Sequence, residues 1–546
     1  MNATTSDELV YLAPKVKLEP LVSRWYAWSH LISPLQLAMN LAYRYVPLLQ
    51  SFIMNPSVHL AASREPKMFG GPFVNLEASA VSELKQLLES TNRHWAAALK
   101  FAADFRDFDK HLQERASGYS LNELYTRLPE PLRGLVELAY DTCNHPQIRI
   151  MEEILDREDV VASEQEILLT TVADRERLFF MSTPRLNAPD NFSLKVPFRD
   201  ARIDTLAKSR AHPCRFGDLT EIFSISEGDV QRFREFFTTE APRNGRAECL
   251  GGAVRVRYFG HACVLVQTDE VSILIDPMVA FESGADGRFT FNDLPNFIDY
   301  VVLSHNHQDH SCPEMLLQLR HRVGQVLVPR NNSGNICDPS MKLMLKALGF
   351  AKVTALDPLD SVPVPGGEII SLPFAGEHVD LDIQSKQTVL VSLHGRSLLF
   401  LVDSDGWDVG LYRRVMKIVN RPIDALFLGM ECHGAPLTWL YGPLLTKRIS
   451  RKDDESRRLS GADCERAWGI LQEIRAPRCY VYAMGQEPWL RFIMGLEYTE
   501  DSIQLVEAKK FVARCQESGI EAKLLYVTHE FTLPRESDSR SQRHVA

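Results

Sequence analysis

The stretch VVLSHNHQDHSC, starting at Val301, sets His305, His307, Asp309 and His310 in the pattern H-x-H-x-D-H. Imidazole nitrogens and carboxylate oxygens at this density are metal donors. An apolar strand delivers the chain to Ser304, and His305 and His307, two residues apart, can point to one side. Asp309 and His310 follow on the turning chain and can face a neighbouring point. Four such donors would serve two metal ions about 3.5–4 Å apart. A polar loop with chance histidines is the plainer reading, and the spacing directly after a strand argues against it.

Two ions need more donors, and the ends of later predicted strands offer them. SLPFAGEH supplies Glu377 and His378, SLLFLVDSDG supplies Asp403 and Asp405, and LFLGMECHGAP supplies Glu431 and His433. Position 377–378 decides the chemistry, because adjacent residues on a strand end seldom point the same way. Ligation by His378 would give a dizinc hydrolase set. Ligation by Glu377 would give an oxygen-rich set that favours iron or manganese and suits oxygen activation.

The elements that must position these residues begin after TTEAPRNGRAECLGG (238–252), whose Pro, Asn-Gly and Gly-Gly mark a boundary. Beyond it, AVRVRYFG alternates with period two, and CVLVQTDEVSILIDP reads as two strands joined at Thr268-Asp269-Glu270. FIDYVVLSH, GQVLVP, GEIISLPF, TVLVSLHGRSLLFLVDSD, IDALFLGM and CYVYAM are further strands. Helical stretches such as DCERAWGILQEI and IQLVEAKKFVARC lie between them, which predicts two sheets flanked by helices. Before the boundary the chain reads as mixed α/β. Prolines are expected to break WYAWSHLISPLQLAMNLAYRYVPLLQSF into short helical pieces. SAVSELKQLLESTNRHWAAALKFAADFRDFDKHLQE is amphipathic helix, and EILLTTVADRERLFFMS reads as strand, turn, strand. The expected division is residues 1–245, a mixed α/β domain, and 246–546, the domain with the metals.

A length of 546 residues, 45% hydrophobic and 24% charged, describes an ordinary globular chain of two or more domains. A net charge of −10 argues against broad nucleic-acid binding. No apolar run is long enough to span a membrane, and the start lacks the pattern of an export signal. Ten cysteines without a C-x-x-C pair read as incidental thiols, which places the chain in the cytoplasm.

FGHACVLV, LIDP, SHNHQDH, the 377–378 position, LVDSD and MECHG together resemble the metallo-β-lactamase superfamily over roughly residues 250 to 530. The resemblance implies an αββα sandwich. It also implies His305 and His307 on one ion, Asp309, His310 and His433 on the other, and Asp403 bridging. The GEH departure, the length and the motif-poor first half resemble, more closely, the dinuclear-iron β-hydroxylases of nonribosomal peptide antibiotic biosynthesis, the chloramphenicol pathway included. That family implies Glu377 as a ligand, with Glu377 and Asp403 at the catalytic centre. It implies two iron ions, O2 as co-substrate and an amino acid held as a thioester on a carrier protein. An N-terminal domain that dimerises is implied as well. With no flavin or iron–sulfur motif in the chain, electrons must come from a separate reductase or reductant.

The lesser candidates are weighed against plainer readings. His261 of FGHACV is balanced between orienting a ligand and packing in the core. Asp276 is expected to support the histidine loop, and His394 to occupy a turn. The run LLTKRISRKDDESRRLSG (444–461) is locally basic on an acidic protein, either a solvated loop or a docking surface for an acidic carrier. The leading expectation is a diiron monooxygenase. A dizinc hydrolase is the alternative, and a scaffold with a vestigial site is a third reading.

Overall fold

The computed structural model describes residues 7–157, 162–242, 250–283, 287–376 and 379–535. Its second half is built on two seven-stranded sheets. In the first, Val254–Gly260, Cys263–Gln267 and His529–Leu533 pair antiparallel, while Ser272–Ile275, Ile298–Val302, Val323–Pro329 and Val353–Leu356 run parallel. The second repeats the plan. Ser361–Val364, Gly367–Leu372, Thr388–Leu393 and Arg396–Phe400 form an antiparallel meander, and Ala425–Gly429, Arg478–Tyr482 and Glu521–Leu524 continue it in parallel.

The sheets stack because their inner faces are aliphatic and aromatic. Val256, Val264, Ile273, Val302, Val391, Leu398, Phe427 and Tyr482 form one buried cluster between them. Helices Gly410–Val419, Cys464–Ile474 and Ile503–Glu517 cover the second sheet through Val415, Ile470 and Phe511. The result is the expected αββα sandwich.

The first half is mixed α/β, with a four-stranded sheet around Lys17–Val22 and Gln165–Thr170 and helices Val81–His94 and Ala96–Arg115. Two local expectations are corrected. The chain is helical from Pro34 to Met54 without a break at Pro47, passing through a π-helical turn at Leu41–Tyr45. The widened turn just before Pro47 accommodates the missing N–H. After Gln165–Thr170 comes a 3₁₀ turn at Asp174–Glu176, and the pairing strand is Asn191–Lys195. Pairing was decided by distant packing, which a local pattern does not contain.

The boundary expected at 245 falls on residues outside those described. The halves share a core: Trp25, Leu49 and Phe180 belong to the same buried cluster as Leu274, Leu316 and Phe492. Buried polar contacts reinforce it. Tyr26 donates to Glu314 at 2.6 Å, Arg177 bridges Glu314 and Glu19 at 2.6 Å each, and Arg210 donates to Gln318 at 2.7 Å. Glu314 and Gln318 lie on helix Pro313–Leu319, which follows the histidine loop directly. The first half therefore clamps the element that anchors the site.

Candidate metal centre

Among the described residues, the loops that carry the candidate residues leave the same edge of the sandwich, beyond a strand end. The H-x-H-x-D-H loop follows Ile298–Val302, Asp276 follows Ser272–Ile275, Asp403 follows Arg396–Phe400 and Glu431 follows Ala425–Gly429. Four non-glycine residues at these corners have positive φ: His261 (51°), Asp276 (40°), Val402 (48°) and Ala483 (54°). Such conformations cost of order 1–3 kcal/mol each and persist where surrounding structure enforces them.

His305, His307 and Asp403 gather into one buried cluster, and His261, Asp309 and His310 into a second. Asp403 stands between them, with Oδ2 3.4 Å from Nε2 of His305 and 3.3 Å from Nε2 of His310. Asp276 fixes the loop. Its carboxylate accepts from the Ser304 N–H at 2.7 Å, the Ser304 hydroxyl at 2.6 Å and Nδ1 of His310 at 2.9 Å. The Ser304 oxygen lies 2.9 Å from Nδ1 of His305. Both imidazoles are thus held at Nδ1 and present Nε2 to Asp403, the arrangement a metal-binding histidine needs. Burial pushes His307 down to about 4, so its ring is neutral at physiological pH.

His261 has a different role. Its Nδ1 accepts the Gly485 N–H at 3.1 Å, so the proton of the neutral ring sits on Nε2, which donates to Asp309 at 3.1 Å. A ring in that tautomer orients Asp309 and is not itself a ligand. Its corner is closed by Glu487, which accepts from His261 N–H and the Tyr258 hydroxyl at 2.9 and 2.5 Å. Gly260 before it (φ 106°) has no room for a side chain, since a Cβ would lie 2.5 Å from the Trp489 ring.

Of the sequence-predicted residues, the fold brings together His305, His307, Asp309, His310 and Asp403. Glu377 and His378 lie outside the described residues, but Gly376 bridges to Ser404, so the chain before Glu377 runs beside Asp403. His433 does not join either cluster: it is exposed, and its carbonyl accepts from Gln504 at 2.6 Å. A tight turn after the strand, with Cys432 N–H bonded to the Met430 carbonyl, sets it on the wall of the cavity that reaches Asp403, apart from both clusters. Glu431 occupies the inward position. Burial, and next the neighbouring Asp403 carboxylate, hold its carboxyl well above the usual range. Asp405 is buried, but it caps the Trp407 N–H at 3.1 Å. His394 lies in its hairpin turn with Nδ1 2.6 Å from the Gly252 carbonyl.

Sequence reasoning missed the contribution of the first half. A cavity of about 460 Å³ reaches His307, Asp309, Asp403 and Glu431, and its outer wall is the segment Lys67–Phe73 with Trp439 and Arg458. Gly70 permits this approach: a Cβ there would lie 2.3 Å from the Gly495 carbonyl oxygen, and Trp439 donates its indole N–H to the Gly70 carbonyl at 2.8 Å. The Gly-Gly pair at 70–71 was the available signal.

The residues fit metal ions. Asp309 Oδ1 is buried without a hydrogen-bond partner, and the Asp309, Asp403 and Glu431 carboxyl groups gather at one cavity, a donor set that suits cations. Fold and donors together define a metallo-β-lactamase-type protein with a dinuclear centre. Residues 255–396 match the beta-lactamase superfamily domain, and residues 11–242 match the diiron non-heme beta-hydroxylase N-terminal domain. The 4-amino-L-phenylalanyl-[CmlP-peptidyl-carrier-protein] 3-hydroxylase of Streptomyces venezuelae is 33% identical over 534 residues, 96% of this chain and 99% of that protein. The crystal structure of CmlA, a diiron β-hydroxylase from Streptomyces venezuelae, is similar with a TM-score of 0.90 at 31% identity, covering 97% of this chain and all of that one. A mutant of CmlA gives 0.88 at 31% identity, covering 96% and 100%. The chain belongs to the diiron non-heme β-hydroxylase family, and its cofactor is a pair of iron ions.

Proposed function

We propose that the chain hydroxylates the β-carbon of an amino acid held as a thioester on a peptidyl carrier protein, with O2 as co-substrate. The observation that carries this reading is the pair of buried donor clusters with Asp403 standing between them, reached by an open cavity. The relative that acts on a carrier-bound aminoacyl group supports the substrate class. The overall balance converts C–H, O2, two electrons and two protons into C–OH and water. Bound iron supplies the oxygen and redox chemistry. His305, His307, Asp309, His310, Asp403 and Glu377 would hold it, with Glu431 the inward carboxylate at the position where the sequence suggested His433. Asp276 and Ser304 orient the imidazoles, and His261 orients Asp309. Trp439 and the Lys67–Phe73 segment wall the cavity.

The electrons come from an external reductase or reductant. Residues 1–245 and 246–546 act as the structural and catalytic units, and a homodimer through the first half draws support from the exposed Met54 and Val58. Among the described residues no helix is long and apolar enough to cross a membrane. The nine described cysteines are all free thiols, which supports a cytoplasmic setting. The test is anaerobic reduction, then exposure to oxygen with aminoacyl carrier proteins, read by mass spectrometry. Gain of one oxygen atom on the aminoacyl group is expected. Thioester hydrolysis without oxygen gain would favour the hydrolase reading.

A further inference from the structure

A second cavity, of about 550 Å³, lies beside the metal-side cavity and has Gly70, Gly71, Pro436 and Trp439 as common walls. Trp439 stands at the junction, tied to the Gly70 carbonyl. The second cavity is lined mostly by apolar groups, among them Leu48 and Phe179, with a few polar ones. One is Arg44, whose guanidinium donates to the Trp439 and Leu440 carbonyls at 2.8 and 3.1 Å and to the Met181 sulfur at 2.8 Å, and lies over the Trp28 ring. Asp454 and Pro443 also line this cavity, so it opens against the segment 443–454. That segment presents Lys447, Arg448, Arg451 and Lys452, all exposed and without an ion-pair partner among the described residues. The neighbouring Arg457 and Arg458 are different: they pair with Asp380 and Glu455.

We propose that the second cavity receives the phosphopantetheine arm of an acidic carrier protein, which docks on the basic lip formed by Lys447, Arg448, Arg451 and Lys452. This rests on the carrier-bound substrate proposed above. The arm is a thin chain with apolar carbons, two amides and a phosphodiester. An apolar channel with sparse donors suits its body, and Arg44 puts a cation on the channel wall. A cationic lip on a chain of net charge −10 suits a partner that the rest of the surface would repel. The proposed route takes the thioester end past the common wall at Trp439 into the metal-side cavity, with the docked carrier outside.

The test uses the full chain, a fluorescent acidic carrier loaded with 4-amino-L-phenylalanine, and the same aminoacyl group on pantetheine. One variant reverses the lip: Lys447→Glu, Arg448→Glu, Arg451→Glu and Lys452→Glu together. A second, Gly442→Phe, plugs the channel from a wall position where a Cβ meets only Thr438, at 3.4 Å. Lys523→Glu, on an edge strand of the second sheet, is the control. Lip reversal should weaken carrier binding by anisotropy about tenfold or more and flatten its salt dependence, while the control changes it less than about twofold. Gly442→Phe should lower kcat/KM about tenfold or more with either substrate, melting temperature unchanged. Carrier affinity insensitive to lip reversal, or full turnover through the plugged channel, overturns the proposal. So does absence of any carrier binding by the unaltered protein. Carrier binding that responds to the lip without oxygen gain would instead refute the hydroxylase reading and leave the docking surface standing.

Discussion

Asp276→Asn tests whether the histidine loop is held for metal binding. Asp276 is fully buried and accepts three hydrogen bonds within 2.9 Å, one from Nδ1 of His310. Asparagine keeps the shape but has one acceptor oxygen where the carboxylate has two. With that oxygen turned to Ser304, the amide N–H₂ faces His310, whose Nδ1 must then accept. The proton moves to Nε2, the atom 3.3 Å from Asp403, and the ring can no longer ligate. Loss of such an orienting partner typically costs about 10–100-fold in metal affinity, or about 1.4–2.8 kcal/mol. The assay is iron affinity by chelator competition, with stoichiometry by elemental analysis and folding checked by circular dichroism. One iron per chain retained and one weakened by that factor is the expected result. Two irons held within twofold of the unaltered affinity would refute the tautomer argument.

His261→Ala should weaken the same iron by a smaller factor, and His261→Gln, which keeps a donor, should recover part of it in the same competition assay. Glu377→His should shift the purified metal from iron towards zinc by elemental analysis, because it exchanges an anionic oxygen donor for a neutral imidazole, whereas His378→Gln should change it little. Glu19→Gln should cost about 3–5 kcal/mol near pH 7 by denaturant titration, since Arg185 is left as a buried charge without a carboxylate and Arg177 keeps only Glu314. Although burial raises the Glu19 pKa, Arg185 and Arg177 more than offset it and hold it at about 2. Its contribution is therefore present above about 4.5 and lost as pH falls towards 2, so the gap between unaltered and variant protein should close over that range. Gly70→Ala, at φ 80° and against the Gly495 carbonyl, should displace the cavity wall and raise KM for the carrier substrate without loss of bound iron.

The sequence by itself determined the two sheets, because strands buried on both faces read as short β-branched runs wherever they pack. It also determined the core of the site. H-x-H-x-D-H is local, so its donors are legible together, although Asp276 and His261 from other strand ends hold them in place. The strand-end rule placed Asp403 for the same reason. Tertiary structure decided what depends on direction and distance. Glu431 and His433 are equally good donors on paper, and only the turn after Gly429 sets one beside Asp403 and the other on the exposed wall of the same cavity, outside both clusters. His261 is legible as a histidine at a strand end, but its tautomer is set by Gly485, 224 residues away in the chain. The first half shows no chemical motif, yet a glycine pair there forms the cavity wall, since close approach of two backbones is a property of the folded pair and of neither segment alone.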